Sequence, residues 1–196
     1  HKHFCQFSES HLVRAFHSNT SVQSKLGKGN YTLYHGNMTV SENVSALRFL
    51  MDKVFPQLDT PIIVAGKIKS QKLIKRIQKH LSVKLIENPN QKEMDRLIQN
   101  AHVILLPTFQ NTGIKLKLLE SLLKGRFCIA NTAMIKSTEL EQYCLVANSP
   151  EDWINIIKKC NEEYFSPEEI EKRESIISEF NNELEAKKIV KEIFED

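Results

Sequence analysis

The sequence contains no CxxC pair, no GxGxxG, no apolar run approaching the roughly 20 residues of a membrane span, and little excess charge. Its four cysteines, Cys5, Cys128, Cys144 and Cys160, lie far apart. They read as free thiols of a reducing compartment, not as a disulfide framework or a zinc site. A dinucleotide enzyme needs GxGxxG after its first strand, and Gly36-Asn37-Met38-Thr39-Val40 stands there instead. A phospho-receiver needs acids clustered at that strand end, and Tyr31–Gly36 has none. A net charge of +3 does not by itself call for nucleic acid. His1, His3, His11 and His17 show no paired spacing with a carboxylate partner, so no metal is expected. His1 is not an initiator Met and no secretory pattern follows it. The chain therefore reads as a piece of a longer, cytoplasmic protein, and the sequons at Asn19, Asn30, Asn37 and Asn43 carry no weight.

What is present is a strict alternation of strand and helix patterns. Residues 1–30 lack steady periodicity and read as a linker with one helical turn near His11–Phe16. Strands are expected at Tyr31–His35, Pro61–Gly66, Val83–Glu87, His102–Pro107, Arg126–Ala130 and Tyr143–Ala147. Between them, Ser41 is expected to cap a helix with the apolar stripe Val44, Leu47, Leu50 and Val54. Further helices are expected at Ser70–Leu81, from the Asn90/Glu93 capping box to Ala101, and at Gly113–Lys124. Ser149-Pro150 and Ser166-Pro167 open two more, and a long polar helical stretch runs to Phe194. Short continuous apolar strands, each followed by a helix, mean a parallel sheet covered on both faces. The fold class is α/β, a doubly wound, Rossmann-like sheet of about six strands with C-terminal helices. Ligands in such folds bind at the carboxyl ends of the strands, here Gly36-Asn37, Gly66-Lys67, Asn88-Pro89 and Thr108 to Lys117.

The strongest local signal is the run from Pro107 to Glu120. A strand ends, a polar loop follows and a helix opens near Gly113, whose missing Cβ lets a ligand approach the backbone. Free N–H groups and the dipole make a helix start an anion site. Four other helices of this chain begin with acids, at Glu42, Glu93, Glu151 and Glu168, whereas this one carries Lys115 and Lys117. Cations there cost about a few tenths of a kcal/mol unless an anion is bound. Gly113, Lys117 and Glu120 are spaced by four and three and share a face, with Ile114, Leu118, Leu119 and Leu122 on the buried side. Glu120, roughly 10 Å from the helix start, suits ribose hydroxyls while phosphates sit at the N-terminus. The plainer reading is a surface glutamate paired with Lys117 or Lys124. Trp153, with Ile156 and Ile157, is expected in the core.

The run Pro107–Ala130, with TGIKLKLLESLLKGRFCIAN, resembles the strand–loop–helix–strand signature of family-4 glycosyltransferases of the GT-B fold. The resemblance extends to YTLYHGNMTVSENVSALRFL, PIIVAGK and VKLIENPNQKEMDRLIQNAHVILLPTF, roughly Tyr31 to Cys160. It implies the donor-binding half of a retaining transferase. The substrate would be a nucleotide-sugar such as a UDP- or GDP-sugar, with no cofactor. It implies that Glu120 binds ribose and that Gly36, Asn37, Lys67, Asn88, Gly113, Ile114 and Lys117 line the donor site. By the same resemblance Thr112 and Lys115 are the expected catalytic positions. Thr112 stands where the family has its first glutamate; Asn37 and Asn43 stand where many relatives carry Arg and Lys. Lys115, Lys117 and Lys67 are the candidates to supply that charge. These departures also admit a non-catalytic nucleotide-binding module or degenerate transferase. The organisation expected is a linker over 1–30, the Rossmann-like domain over 31–165, and a helical tail over 166–196. That tail would pack on an absent N-terminal half holding the acceptor groups. The acceptor is expected to be a glycan or a lipid-linked molecule.

A basic stretch, Lys67, Lys69, Lys72, Lys75, Arg76, Lys79 and Lys84, contains no acid. No aromatic interleaves with it, so base stacking and nucleic acid are not expected. It reads as a solvated helix face, with peripheral contact to an anionic membrane as the second reading.

Overall fold

The structure, a computed structural model, describes residues 13, 14, 16–110 and 116–194. Six parallel strands form one sheet in the order β3-β2-β1-β4-β5-β6. They are β1 (Thr32–His35), β2 (Ile62–Gly66), β3 (Val83–Glu87), β4 (Val103–Leu106), β5 (Phe127–Ala130) and β6 (Leu145–Val146). The helices are α1 (Ser41–Phe49), α2 (Gln71–Gln78), α3 (Gln91–Asn100), α4 (Leu116–Lys124), α5 (Thr132–Ile135), α6 (Pro150–Glu162), α7 (Pro167–Glu179) and α8 (Asn182–Phe194). A π-helical turn, Leu50–Val54, and a 3₁₀ turn, Phe55–Gln57, extend α1 toward β2.

Alternating strand residues feed two cores, one on each face of the sheet. Tyr34, Val64 and Leu105 meet Leu47, Leu50, Leu73, Ile77 and Trp153 on the α1, α2 and α6 side. Leu33, Ala65 and Ile104 meet Ile98, Leu118, Leu122 and Ile176 on the α3, α4 and α7 side. Each such aliphatic side chain fully removed from water contributes roughly 1.5–3 kcal/mol, so the doubly covered sheet follows from the apolar strands themselves. Trp153 is buried as expected, with its ring edge-on to Phe49.

Local chemistry sets most helix ends. Asn90 with Glu93 and Ser149 with Asp152 form full capping boxes, and Ser70 Oγ accepts from Leu73 N. The expectation for Ser41 is corrected: Val40 occupies the N-cap without a side-chain bond, and Ser41 is the first helical residue. The expected sixth strand shrinks to Leu145–Val146, because a 3₁₀ turn at Glu141–Tyr143 takes its first residue and Cys144 caps that turn. The helix opened at Ser166-Pro167 and the polar stretch that follows it are separate helices, α7 and α8. Asn181 Oδ1 accepts from Glu183 N and Leu184 N and starts α8 afresh.

The segment before β1 runs against the sheet's amino-terminal end. Gln23 N donates to Leu123 O, Gly27 and Phe165 form a bridge, and Asn30 N donates to Asn100 O. The helical turn expected near His11–Phe16 lies partly outside the described residues, and Val13, Arg14 and Phe16 carry no regular structure. Two buried arginines close this end. Arg126 donates to Gly27 O, Gln99 O and Ala101 O, and Arg173 of α7 to Leu122 O and Gly125 O. Both thus cover the negative ends of α3 and α4. The opposite ends of these helices face the sheet's carboxyl edge.

Candidate functional site

The strand order reverses between β1 and β4, and a doubly wound sheet opens its ligand crevice there, beyond the carboxyl ends. Two glycines shape the β1 side. Gly66, at φ +145°, lies so close beneath the β1 turn that an added Cβ would stand 1.9 Å from Gly36 O. At Gly36 an added Cβ would approach Asn43 Cγ to 3.2 Å. Met38 N donates to Lys67 O at 2.8 Å, which ties the turns after β1 and β2 together.

Above these glycines lies a polar chain. Asn43 of α1 donates from Nδ2 to Asn37 O at 3.0 Å, and its Oδ1 accepts from Lys117 Nζ of α4 at 3.1 Å. Asn37 Oδ1 accepts from Thr39 N and Thr39 Oγ1. The Lys117 ammonium is thereby held across the crevice against α1, at Asn43, one of the positions where the family resemblance expects a cation. On the β4 side Thr108 is fully buried, and its hydroxyl donates to Glu42. Thr108 N donates to Asn131 Oδ1 and Asn131 Nδ2 to Thr108 O, which extends the β4–β5 pairing past the strands.

Glu120 and Lys117 both lie on the half-exposed side of α4 but reach different neighbours. Glu120 Oε1 accepts from Gln91 Nε2 of α3 at 2.9 Å and from Lys124 Nζ at 3.0 Å. The pairing with Lys124 is thus realised, while Lys117 turns toward α1. Asn88, just after β3, adopts a left-handed φ of 51°, which asparagine tolerates. Its N–H donates to Gly66 O and its Oδ1 accepts from Ile68 N, so it shapes the turn after β2. Lys67 is exposed beside it. Gly36, Asn37, Lys67 and Lys117 gather around the β1–β4 crevice, and Glu120 borders it from the α3 side. Thr112, Gly113, Ile114 and Lys115 lie outside the described residues.

His35, the last residue of β1, is buried under this network. Its Nε2 lies 2.9 Å from Ser121 Oγ, which donates onward to Lys117 O at 2.7 Å. A hydroxyl has one proton, so Ser121 accepts from His35, and the imidazole is the neutral Nε2–H tautomer. Burial, then the nearby Lys117 charge, lowers its pKa from 6.5 to about 3. The folded state therefore refuses a proton that the unfolded chain accepts below its ordinary 6.5. His35 contributes stability above that pH and loses it progressively as pH falls toward about 3. Thermal unfolding of the parent should drop more between neutral and acid pH than that of His35→Gln, which keeps a donor to Ser121. Equal losses would contradict a neutral, unprotonated His35.

Sequence reasoning found the strand ends but not these partnerships. Asn43 was legible as a missing cation and not as the group that receives one from Lys117. Gln91, Asp95 and Lys124 carried no signal beyond ordinary helix-surface pairing. Thr108 stood only as the first residue of a strand-end loop, and Asn131 gave no signal at all.

A doubly wound parallel sheet whose strand order reverses between β1 and β4 defines a domain of the Rossmann-like class. The family model for group 1 glycosyl transferases matches residues 29–162, and the chain belongs to that family. Among curated proteins none matches the sequence. Of the solved structures, it is similar to WaaG, a glycosyltransferase involved in lipopolysaccharide biosynthesis, at 16% identity and TM-score 0.61, over 86% of this chain and 48% of that one. It is similar to TarM at 12% identity and TM-score 0.66, over 88% of this chain and 37% of that one. A glycosyltransferase from Rickettsia africae aligns at 13% identity and TM-score 0.65, over 84% of this chain and 48% of that one. Identities this low speak for the fold alone, and the chain spans about half or less of each of these structures. Among the described residues, no helix is long and apolar enough to cross a membrane.

Proposed function

We propose that this chain is the donor-binding half of a retaining glycosyltransferase that moves a sugar from a nucleotide-sugar to a glycan or lipid-linked acceptor. The observation that carries the reading is the Lys117 ammonium, held against Asn43 across the switch-point crevice. A diphosphate placed there meets a fixed cation at its departure, and stabilising charge as it develops is the largest single contribution to such a transfer. Lys115 and Thr112, outside the described residues, are the catalytic positions that the family resemblance implies. With side-chain cations available, the leaving group needs no metal cofactor. Glu120 takes the ribose hydroxyls, and Gly36, Asn37, Lys67 and Asn88 form the floor and base side of the site. A UDP- or GDP-sugar fits this arrangement.

The acceptor side belongs to a second, N-terminal half. The exposed Leu184, Val190, Ile193 and Phe194 of α8 are the apolar surface on which that half would dock. The exposed lysines of α2, Lys72, Lys75 and Lys79, with the fully exposed Leu81 beyond them, are the face that would meet an anionic membrane. Thr112 in place of a carboxylate favours a competing reading, a nucleotide-binding module without transfer.

Calorimetry with UDP, GDP and the matching nucleosides tests the site. The diphosphates should bind at least about tenfold more tightly, since charge-assisted contacts to phosphate contribute about 1.5–3 kcal/mol. Equal binding of all four ligands, or none, would remove the diphosphate site. Incubation with UDP- and GDP-sugars separates the two readings: slow donor hydrolysis supports a transferase half, and bound but intact donor supports the module.

A further inference from the structure

Beside Glu120 lies a closed ring of four hydrogen bonds between α3 and α4. Lys124 Nζ donates to Asp95 Oδ1 at 2.7 Å and to Glu120 Oε1 at 3.0 Å. Gln91 Nε2 donates to the same two oxygens, each at 2.9 Å. The Lys124 side chain is 5% exposed, whereas Asp95 and Glu120 remain 30% and 28% exposed. A lysine in the last turn of a helix has a ready solvated position near the terminal carbonyls. This one is buried instead, and a buried ammonium persists only when it is paired. Burial pulls its pKa down and the bonds to Asp95 and Glu120 outweigh that, leaving it above its ordinary value. The cation thus stays charged and holds together two carboxylates that would otherwise repel.

The ring treats the two oxygens of Glu120 differently. Both donors converge on Oε1, while Oε2 accepts no hydrogen bond among the described residues. A carboxylate pinned through one oxygen presents the other in a fixed direction, which is what recognition of a rigid diol requires. We propose that Lys124 is a positioning residue: with Gln91 and Asp95 it locks Glu120 through Oε1, so that Oε2 discriminates a ribose from a 2′-deoxyribose in the bound nucleotide. This inference rests on the reading of Glu120 as the ribose acceptor. A plain α3–α4 staple would carry the same ring, and the two roles differ in what they do to sugar discrimination.

The test is calorimetry of UDP, GDP and their 2′-deoxy forms on parent, Lys124→Met, Gln91→Ala, Glu120→Gln and the Lys124→Met/Glu120→Gln pair. A site that hydrogen-bonds a hydroxyl rejects the analogue lacking it, so the parent should prefer the ribonucleotide by about tenfold or more. Lys124→Met should cut that preference to about threefold or less while leaving the advantage of diphosphate over nucleoside intact. Gln91→Ala, at the surface, should lose part of the preference, and adding Lys124→Met to Glu120→Gln should change it no further. The proposal is overturned if Lys124→Met weakens ribo and deoxy forms equally or keeps the parent's preference. It is also overturned if Lys124→Met fails to fold and Gln91→Ala keeps that preference. A parent that binds diphosphates without sugar preference removes Glu120 from ribose, and the inference with it. A parent that binds no diphosphate removes the donor-site reading itself.

Discussion

Gly66→Ala should be among the most damaging single substitutions outside the hydrophobic core. Gly66 closes β2 at φ +145°, a conformation open to glycine and costly for any side chain. Space makes it worse, because the added Cβ would stand 1.9 Å from Gly36 O and 2.8 Å from Gly36 C, both main-chain atoms that cannot rotate away. Backbone strain and overpacking each cost about 1–3 kcal/mol, so a loss of about 3–5 kcal/mol is expected. At roughly 2–4 °C per kcal/mol for a domain of this size, Tm should fall by about 6–20 °C. Nucleotide binding should fall as well, since relief of the clash pushes Gly36 and the Asn37–Asn43 pair into the crevice. Gly27→Ala is the control: φ there is +76° but nothing lies within 4 Å of the added Cβ. It should cost only about 1 kcal/mol and leave nucleotide affinity intact. If Gly66→Ala melted and bound like Gly27→Ala, the close approach of the two turns would not exist in solution.

The sequence carried much of the fold because its strands announce themselves locally. Ile62–Gly66 and Val103–Leu106 are continuous apolar runs buried on both faces, and no amphipathic alternative fits them. The capping boxes at Asn90 and Ser149 are equally local, since both partners lie within one turn. Where the expectation slipped, the competing signal was weak or distant. Val40 precedes a serine that looks like a cap, but Ser41 already takes up helical geometry. Asn181 restarts the last helix, and its capping bonds to Glu183 and Leu184 were hidden by a polar pattern that ran on through it.

The site divides the same way. Strand ends and helix starts are positions along a chain, so Gly36, Lys67, Asn88 and the run to Glu120 could be named. Pairings across the crevice are not. Lys117 and Asn43 lie on α4 and α1, far apart in sequence, and helical spacing says only that Lys117 shares a face with Glu120. The two residues look the same by periodicity, yet one reaches α1 and the other is held by α3. The tertiary partners decide this, and they set the Lys117 ammonium and the Glu120 carboxylate against different helices.

Lys117→Ala should weaken binding of UDP or GDP by roughly 1–3 kcal/mol, about five- to 150-fold, while leaving the nucleosides close to parent. The side chain bridges from α4 to Asn43 Oδ1 at 3.1 Å, and Asn43 holds Asn37 O at 3.0 Å, so the ammonium is positioned before a ligand arrives. A preorganised charge spends little side-chain entropy on binding, which places the effect above that of an ordinary surface lysine. The loss should shrink as salt rises, because a part-buried ammonium at an open crevice is screened. Alanine also frees Asn43 Oδ1 and with it the Gly36–Asn37 turn, so Lys117→Gln is the informative partner. It keeps a donor to Asn43 but removes the charge. If charge is what the phosphates use, Lys117→Gln should lose nearly as much diphosphate affinity as Lys117→Ala, with the same salt dependence. Full affinity in Lys117→Gln would reduce Lys117 to a strut for the β1 turn, and the anion site would then have to be sought elsewhere along the sheet edge.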